Sequence, residues 1–487
     1  MAKVNNIFPP IMKTIKIDAY YLIILTFFTI SCQQHIPFET ISEGHIVKAE
    51  GFSQGTAWGD FDNDGFEDLF VTNSWTNGNN FLYKNNGDGT FTHQDKAAPA
   101  NDGGNSNGCC WGDIDNDGDL DLFVANVNDQ NNFLYRNNGD GTFEKVTTGD
   151  AVNDKGWSYT CSFADYNRDG WLDLFVGNYK DQANFLYTND GQGNFIRTHI
   201  SPFDTDKGST QGSSWVDSNN DGWPDLIVVN YHKNFMYRNN GDGTFTRVNN
   251  AITKEDNNSF GCSSADFNND GLTDLFIANW QGKNQLFQNT GNFEYLKITS
   301  GEIVNERLDS EGSSWGDVNN DGYLDLFVTN DGNNSFFLND GDDSFSKDET
   351  ISPVNDNANS NGVTLNDFDN DGDLDLFIAN GGNQPNLLYR NQQNSGNWLK
   401  VKCTGTTSNK SAIGAKIILY HNKKTQYREI SAQTGGGYGA QNGLIAHFGI
   451  PKNQTKVDSL MILWPSGKKS IKKQIDINTI IHIFESN

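Results

Sequence analysis

A nine-residue pattern, D-x-[D/N]-x-D-G-x-x-D, recurs seven times along the chain and limits the possible folds more than any other feature. Its copies begin at Asp60, Asp113, Asp165, Asp217, Asp266, Asp317 and Asp367. Successive copies begin 49 to 53 residues apart. A near-constant period of this length indicates one structural unit that is repeated seven times and stacked against its neighbours.

The residues inside the pattern indicate a metal site. Oxygen-bearing side chains occupy positions 1, 3, 5 and 9, and glycine at position 6 permits a sharp turn because it tolerates positive φ. Such a loop directs several hard oxygen ligands onto one point, with the carbonyl of position 7 as a further ligand, and this is the coordination that Ca²⁺ prefers. The pattern holds no Cys or His at its fixed positions, which argues against Zn²⁺ and Cu²⁺. An Asp-Gly pair is also a common hairpin turn, but seven copies in phase favour a metal.

We therefore predict up to seven Ca²⁺ sites, because three or four carboxylates that face one point repel unless a cation joins them. Position 3 is Asn in the third to sixth copies, which lowers the charge of those loops and is expected to weaken their sites. The predicted ligands are Asp60, Asp62, Asp64, Phe66, Asp68; Asp113, Asp115, Asp117, Asp119, Asp121; Asp165, Asn167, Asp169, Trp171, Asp173; Asp217, Asn219, Asp221, Trp223, Asp225; Asp266, Asn268, Asp270, Leu272, Asp274; Asp317, Asn319, Asp321, Tyr323, Asp325; and Asp367, Asp369, Asp371, Asp373, Asp375.

The sequence around each loop predicts strands. An EF-hand, the alternative motif, requires a Glu at position 12 and flanking helices, whereas position 12 here is always Val or Ile. The segments that follow the loops, such as 121–126, are short and rich in β-branched and aromatic residues, as strands are. Each unit is predicted to form four short strands, so the chain is predicted to be all-β: a seven-bladed β-propeller with Ca²⁺-binding loops.

The two ends of the repeat region predict how the ring closes and where it stops. The last unit shows only three strands, and residues 37–41 resemble a fourth, so we expect residues near 37–43 to complete the last blade. From residue 397 onward basic residues outnumber acidic ones, although the whole chain has a net charge of −27. We predict a propeller over 32–391 and a small sandwich-like β domain over 397–487. This basic domain is expected either to dock on the propeller or an anionic partner, or to present a solvated surface.

Charge and cysteine content exclude some functions. Nucleic acid is an improbable partner for so acidic a propeller, since phosphate binding needs a basic face. After Cys32 the chain has five cysteines, an odd number without the paired spacing of a disulfide framework. We interpret them as small buried residues.

The N-terminus is predicted to be a signal peptide of the lipoprotein type, covering residues 1–31. Lys13 and Lys16 precede an apolar run over 19–30 that is too short to cross a bilayer. The run ends just before Cys32, which we predict to be the lipidated first residue of an exported protein held at a bacterial outer membrane or cell surface by this anchor alone. Ordinary cleavage and secretion is the alternative, and translation could begin at Met1 or Met12.

The repeats resemble FG-GAP/VCBS repeats, the repeats of integrin α-subunit propellers, over residues 37–391. The C-terminal segment from residue 397 onward is similar to the ASPIC/UnbV domain found in cartilage acidic protein 1-like proteins. The matching tail segments are 397–399, 408–415, 435–438, 447–449 and 464–467. The resemblance implies an extracellular, Ca²⁺-binding, adhesion-like propeller that binds partners on the face opposite its metal loops.

Aromatic residues predict where such a partner binds. The loops after the second strand of a unit carry Trp75, Tyr179, Tyr231, His232 and Trp280, and aromatic platforms with polar neighbours suit an extracellular glycan or protein. These side chains would otherwise only pack their loops. The sequence favours a binding module, with a polysaccharide-active, lyase-like enzyme as the alternative, because His232 beside Tyr231 is the one compact acid–base candidate.

Overall fold

The structure is a computed structural model that describes residues 36–75, 78–393, 396–433, 435–452 and 454–486. The predicted signal segment and Cys32 lie outside the described residues. Among the helices in those ranges, none has the length and apolar character needed to cross a bilayer.

The repeat region forms seven blades, each a four-stranded antiparallel sheet, which confirms the predicted fold class. Inner strands are Ser53–Gly59, Ser106–Gly112, Ser158–Ala164, Thr210–Val216, Asp256–Ala265, Ser310–Gly316 and Ala358–Asn366. Second strands are Asp68–Asn73, Asp121–Asn126, Asp173–Asn178, Asp225–Lys233, Asp274–Asn279, Asp325–Gly332 and Asp375–Asn380. Third strands are Phe81–Asn85, Phe133–Asn137, Phe185–Asn189, Phe235–Asn239, Gln285–Asn289, Ser335–Asn339 and Leu387–Asn391. Outer strands are Phe91–His93, Phe143–Lys145, Phe195–Arg197, Phe245–Arg247, Tyr295–Ile298, Phe345–Lys347 and Phe38–Thr40.

Short elements connect the blades. Two-residue strands pair as Glu50–Gly51 with Gln384–Pro385, Gln182–Ala183 with Lys207–Gly208, and Gly282–Lys283 with Arg307–Leu308. Helical turns are His45–Val47, Ala98–Ala100, Asp150–Val152, Ala251–Lys254, Glu302–Val304 and Ser352–Val354.

The ring closes with the segment that the sequence indicated. Strand Phe38–Thr40 runs antiparallel to Leu387–Asn391 and supplies the fourth strand of blade 7, which confirms that prediction. Closure leaves no long free sheet edge. The joint between blades 7 and 1 is also held by Asn85, whose side-chain amide donates to the carbonyl of Phe368 over 2.7 Å.

The same amide clamp joins every pair of neighbouring blades. The third strand of each blade ends in an Asn that donates to the carbonyl at position 2 of the preceding blade's loop, as Asn137 does to Phe61 over 2.6 Å. The other five donors are Asn189, Asn239, Asn289, Asn339 and Asn391. These clamps are buried, and they join the seven loops formed by the nine-residue aspartate pattern, which we call the metal loops, into a continuous ring.

The core lies between the blades. Four tryptophans of the inner strands are at most 6% exposed and pack against the preceding blade: Trp58, Trp111, Trp215 and Trp315. The five described cysteines are free and buried, which confirms the interpretation of them as small core residues. Small side chains suit the inner strands because the blades taper toward the axis.

The C-terminal domain is a sandwich of two small sheets. One sheet orders Ile445–Ile450, Asn397–Thr404 and Thr479–Phe484, and the last two run parallel. The other sheet orders Lys424–Glu429, Lys416–His421, Lys456–Leu463 and Lys469–Asp476. The apolar core of this sandwich is continuous with the core of blades 2 and 3.

This domain docks on the propeller face that carries the metal loops. Lys400 Nζ lies 3.0 Å from Asp367 Oδ2, and Lys416 Nζ lies 2.5 Å from Asp217 Oδ2. The backbone N–H of Gly449 donates to Asp317 Oδ2 over 3.1 Å. Of the alternatives left by the sequence, docking on the propeller is therefore the one observed.

A segment of the C-terminal domain, residues 435–443, fills the central channel. Strand Gly435–Gly436 pairs with the inner strand of blade 6, and Gln441 bridges Ala57 in blade 1. Gly437 has φ +89°, and a Cβ there would lie 2.6 Å from the carbonyl oxygen of Glu311, so only glycine fits. Beyond it, Tyr438 donates its hydroxyl to Glu311 over 2.7 Å.

Candidate metal centre

All seven loops share two hydrogen bonds, one from the N–H of position 6 to the carboxylate of position 1 and one from the N–H of position 7 to the carboxylate of position 5. In blades 2 to 6 the N–H of position 5 also donates to position 1, and blade 2 illustrates all three bonds. The carboxylate of Asp113 accepts from Asp117 N and Gly118 N at 3.1 and 2.8 Å. Gly118 has φ +110°, in the left-handed region that favours glycine. Position 5, Asp117, accepts from the N–H of position 7 over 2.9 Å. The backbone therefore fixes the carboxylates at positions 1 and 5.

The aspartate at position 9 is a structural anchor as well as a predicted ligand. Asp121 accepts from Ile114 N with one oxygen and from Asn137 N with the other, both at 2.9 Å. Equivalent pairs of bonds recur in all seven blades. These carboxylates are nearly inaccessible to solvent, so each ties its loop to the third strand of its own blade.

Three loops bring acidic groups together in the way a cation site requires. Oxygens of Asp60, Asp62 and Asp68, of Asp113, Asp115 and Asp121, and of Asp367, Asp369 and Asp371 lie within 4.8 Å of one another. In these loops the Oδ1 atoms of Asp60, Asp62, Asp115 and Asp367 are buried without a hydrogen-bond donor. A buried acceptor without a donor is costly, and a bound cation would satisfy it. The residues present in blades 1, 2 and 7 thus fit a metal ion.

The loops of blades 3 to 6 are arranged differently. Asn at position 3 donates its side-chain amide to the carboxylate at position 5 over 2.8 to 3.0 Å in each of them. The four pairs are Asn167 with Asp169, Asn219 with Asp221, Asn268 with Asp270, and Asn319 with Asp321. In these loops the amide therefore already compensates one of the carboxylates.

Burial raises the pKa of most aspartates in the loops, and neighbouring carboxylates raise it further. The pKa of Asp68 and of Asp225 rises to about 8, and that of Asp274 to about 9. At position 1, burial raises the pKa of Asp113 to about 7. Ionised carboxylates are therefore unfavourable here unless a positive charge lies nearby.

Comparison with known families identifies the repeat. The FG-GAP-like repeat profile matches residues 60–124, 113–176, 165–228, 217–277, 266–328 and 317–378. Each match spans two successive loops, and together they cover more than half of the chain. The chain belongs to the FG-GAP-like repeat family. A second profile, described as ASPIC and UnbV, matches residues 405–487.

Individual relatives are more distant. Over 104 residues the chain is 33% identical to cartilage acidic protein 1 of Mus musculus, an alignment covering 20% of this chain and 15% of that protein. The human protein is 36% identical over 86 residues, which are 18% of this chain and 12% of that protein. The combination of an FG-GAP propeller with an ASPIC/UnbV domain fits a ligand-binding or adhesion module.

Solved structures of similar shape share little sequence. YCF48 bound to a D1 peptide is 12% identical, with a TM-score of 0.48 over 74% of this chain and 96% of that one. An Agrocybe aegerita lectin that recognises non-reducing terminal N-acetylglucosamine is 16% identical, with a TM-score of 0.47 over 71% and 91%.

The ASPIC/UnbV domain supplies cations to the metal face of the FG-GAP propeller. Besides Lys400 and Lys416, Lys402 Nζ lies 3.6 Å from Asp60 Oδ2. The guanidinium of Arg428 is partly buried near aspartates of blades 5 and 6, and burial lowers its pKa while Asp317 and Asp266 raise it. The propeller adds its own cations, since Lys84 contacts Asp62 and Asp64, and Arg390 Nε lies 3.0 Å from Asp369. Sequence reasoning found the basic domain but not these individual pairs.

The predicted binding residues lie on the propeller face opposite the metal loops. Tyr179, Tyr231 and Trp280 belong to the consecutive blades 3, 4 and 5. Tyr179 and Trp280 directly follow the second strands of blades 3 and 5, and Tyr231 lies near the end of the second strand of blade 4. Trp280 packs on Phe260 with ring centroids 5.5 Å apart. Burial, and to a smaller extent the phenol of Tyr231, raises the pKa of Tyr179. We name Tyr179, Tyr231 and Trp280 the aromatic patch.

Two of the predicted residues are placed differently from expectation. Tyr231 and His232 are not in a loop but extend strand Asp225–Lys233, where they pair with Asn258 and Asn257 of blade 5. His232 is 71% exposed with Nδ1 3.4 Å from Asp256. Trp75 is 53% exposed but belongs to blade 1, so blade 2 separates it from the aromatic patch.

The structure adds aromatic residues that sequence reasoning missed. Tyr159 lies 5.2 Å from Tyr179 and 5.8 Å from Tyr438, the channel residue of the ASPIC/UnbV domain. Trp157 carries Lys180 over its ring at 3.2 Å. In blades 3 and 5 the sequence did contain a signal for these contacts, since aromatic residues stand at the start of the inner strand, before its run of small residues. The contribution of Tyr438 had no signal in the repeat pattern.

Proposed function

We propose that this protein is an exported, calcium-binding FG-GAP propeller that acts as an adhesion or ligand-binding module. The observation that carries the proposal is the set of donorless carboxylate oxygens in the loops of blades 1, 2 and 7. Every candidate ligand is a hard oxygen on a flexible loop, which favours Ca²⁺ over the softer transition metals. The ions would neutralise the loops and fasten each to its blade.

The proposed number of ions is up to seven, with unequal affinity. At positions 1, 3, 5 and 9 the loops of blades 1, 2 and 7 offer four aspartates, whereas those of blades 3 to 6 offer three and an Asn. A lower ligand charge weakens Ca²⁺ binding. Millimolar extracellular Ca²⁺ would nevertheless fill weak sites, so an exported location is consistent with the whole set.

The proposed recognition surface is the aromatic patch, with His232 beside it and Trp75 at a distance. Tyr and Trp present apolar faces and a polar edge, which suits sugar rings or a protein partner. Tyr438 reaches the floor of this surface through the channel. The partner is proposed to be an extracellular glycan or protein.

Chelation tests the calcium proposal. Removing Ca²⁺ with EDTA should lower the melting temperature by on the order of 10 °C, because ions that bind only the folded state stabilise it by mass action. Elemental analysis should find three or more Ca²⁺ per chain. A melting temperature that EDTA leaves unchanged would contradict the proposal.

Two further experiments test recognition and export. Tyr231→Ala with Trp280→Ala should abolish binding on a glycan and surface-protein array, while Ile196→Ala, on the exposed outer strand of blade 3, should not. Unchanged array binding by the double variant would remove the aromatic patch from the proposal. Cys32→Ser should release the protein from the membrane fraction if Cys32 is lipidated.

A further inference from the structure

A cavity of about 490 Å³ lies between the ASPIC/UnbV domain and the metal loops of blades 3, 4 and 5. Trp464 and Tyr420 of the ASPIC/UnbV domain line one side, and Trp215 and Asn269 of the propeller line the other. This volume is in the range of small-molecule sites, which occur preferentially at the junction of two domains.

Polar atoms in the cavity wall lack partners. In blades 1, 2 and 6 the equivalent tryptophan indoles donate hydrogen bonds over 2.8, 3.2 and 3.4 Å. The Nε1 of Trp215 is buried and has no acceptor. Trp215 thus differs from the other three tryptophans, and it belongs to blade 4, one of the three blades whose loops line the cavity. A buried N–H without an acceptor is rare and calls for a ligand or water.

Acceptors without donors lie in the same wall. Glu429 Oε2 and Asn269 Oδ1 are out of contact with solvent and accept no hydrogen bond. The wall thus combines one donor with two acceptors.

The charges of the wall disfavour an ionic ligand. The acidic groups Asp165, Asp217, Asp221, Asp270 and Glu429 face the basic groups Arg168, Lys416 and Lys469 around one cavity. Lys416 is already paired with Asp217 at 2.5 Å, and Arg168 donates to the carbonyl of Pro465 over 2.8 Å. An added charge of either sign would meet like charges in a partly dry site.

We propose that this cavity binds a neutral, polyhydroxylated ring of monosaccharide size. Each hydroxyl of such a ring both donates and accepts, so it satisfies Trp215 Nε1 and Glu429 Oε2 together. The C–H face of the ring packs on Tyr420, the partly exposed aromatic side chain of the cavity wall. This site is separate from the aromatic patch and does not depend on the recognition surface proposed above.

Titration of tryptophan fluorescence tests the proposal, because Trp215 and Trp464 line the cavity. D-glucose, D-galactose, D-mannose and myo-inositol are the probes, each added to the protein in Ca²⁺-containing buffer. At least one should give a saturable change with a Kd of about 1 mM or tighter. A saturable change by none of the four would overturn the proposal, with water as the occupant.

Variants at Thr425 locate the site. Thr425 is exposed and lines the cavity, so Thr425→Trp should fill the space without disturbing the core and weaken binding about tenfold or more. Thr425→Ser is the matched control and should bind as the parent protein does, and Thr425→Arg serves if Thr425→Trp does not fold. Binding that Thr425→Trp or Thr425→Arg leaves unchanged would exclude this cavity. Tyr231→Ala with Trp280→Ala should leave probe binding intact, which separates this result from the test of the aromatic patch.

Discussion

The metal loops divide into two contiguous arcs that solve the same electrostatic problem in different ways. Blades 7, 1 and 2 carry Asp at position 3, and their loops hold carboxylate oxygens without donors. Blades 3 to 6 carry Asn, and its amide compensates the carboxylate at position 5. We therefore expect this one difference, an oxygen or a nitrogen at position 3, to set how strongly a loop binds a cation.

The ASPIC/UnbV domain does not treat the two arcs equally either. Over the Asp arc, its strand Asn397–Thr404 supplies Lys400 to blade 7 and Lys402 to blade 1. Over the Asn arc it supplies Lys416 to blade 4 and Arg428 to blades 5 and 6, and leaves the 490 Å³ cavity between them. The Asp arc is thus more tightly covered, and the Asn arc has room for a ligand.

The largest expected effect separates the structural role of position 9 from its role as a ligand. Asp121→Ala removes the acceptor of two buried N–H groups and should destabilise the protein by about 4 kcal/mol, since each unsatisfied buried donor costs about 1 to 3 kcal/mol. Asp274→Ala makes the same change in the Asn arc, where Asp274 accepts from Phe267 and Asn289. Denaturant unfolding measures both.

The two position 9 variants should differ only when Ca²⁺ is present. In EDTA they should lose equal stability, because they lose the same hydrogen bonds. In Ca²⁺ the Asp121→Ala variant should lose more stability than the Asp274→Ala variant, since it also loses the more tightly bound ion. Equal losses in both buffers would mean that the arcs do not differ in cation affinity.

The second effect compares two lysines on one strand of the ASPIC/UnbV domain. Lys400 is 4% exposed and paired with a fully buried Asp367, so Lys400→Ala should cost about 3 kcal/mol by leaving that carboxylate alone. Lys402 is 39% exposed and 3.6 Å from Asp60, and Lys402→Ala should cost less than about 1 kcal/mol. Similar losses of stability in the two variants, measured by thermal unfolding, would contradict the expectation that the buried ion pair contributes more than the exposed one.

Sequence reasoning predicted the parts of this molecule that repeat. The seven copies of the aspartate pattern predicted seven blades, and the strand-like residues 37–41 predicted how the ring of blades closes. Both predictions were possible because they depend on local patterns of strand and turn. It did not predict that residues 435–443 fill the channel or that Lys400 meets Asp367. These contacts join segments far apart in the chain, and a glycine run or a lysine carries no signal of its distant partner. Trp215, which lacks a hydrogen-bond acceptor, occupies the same position in the repeat as tryptophans that have one.

The third effect is the response to pH without Ca²⁺. Burial raises the pKa of Asp68 and Asp225 to about 8 and of Asp113 to about 7, above the values near 4 of an unfolded chain. The folded state therefore binds more protons than the unfolded state, and stability falls as pH rises through 7 to 8. In EDTA the melting temperature should be a few degrees higher at pH 6.5 than at pH 8.5.

Calcium should remove this dependence, since bound cations keep the carboxylates ionised. The comparison stops at pH 6.5 because buried histidines act in the opposite direction below it. Burial lowers the pKa of His447 to about 3, so protonation of the unfolded chain favours unfolding there. A melting temperature in EDTA that rises between pH 6.5 and pH 8.5 would mean that the loop carboxylates are ionised and compensated without Ca²⁺.

The smallest effect exchanges the two loop types directly. Asp115→Asn converts blade 2 to the Asn type, and Asn219→Asp converts blade 4 to the Asp type. In EDTA the first should stabilise and the second destabilise the protein, each by roughly 1 kcal/mol, the Coulomb energy of two unit charges about 4 Å apart in a solvated site. In Ca²⁺ both signs should reverse, because the added carboxylate then becomes a ligand. Asn383→Asp, on the opposite face beside Glu50, controls for a change of net charge alone and should not reverse sign. If the exchanged loops also keep one sign in both buffers, the difference between the arcs is not a difference in cation binding.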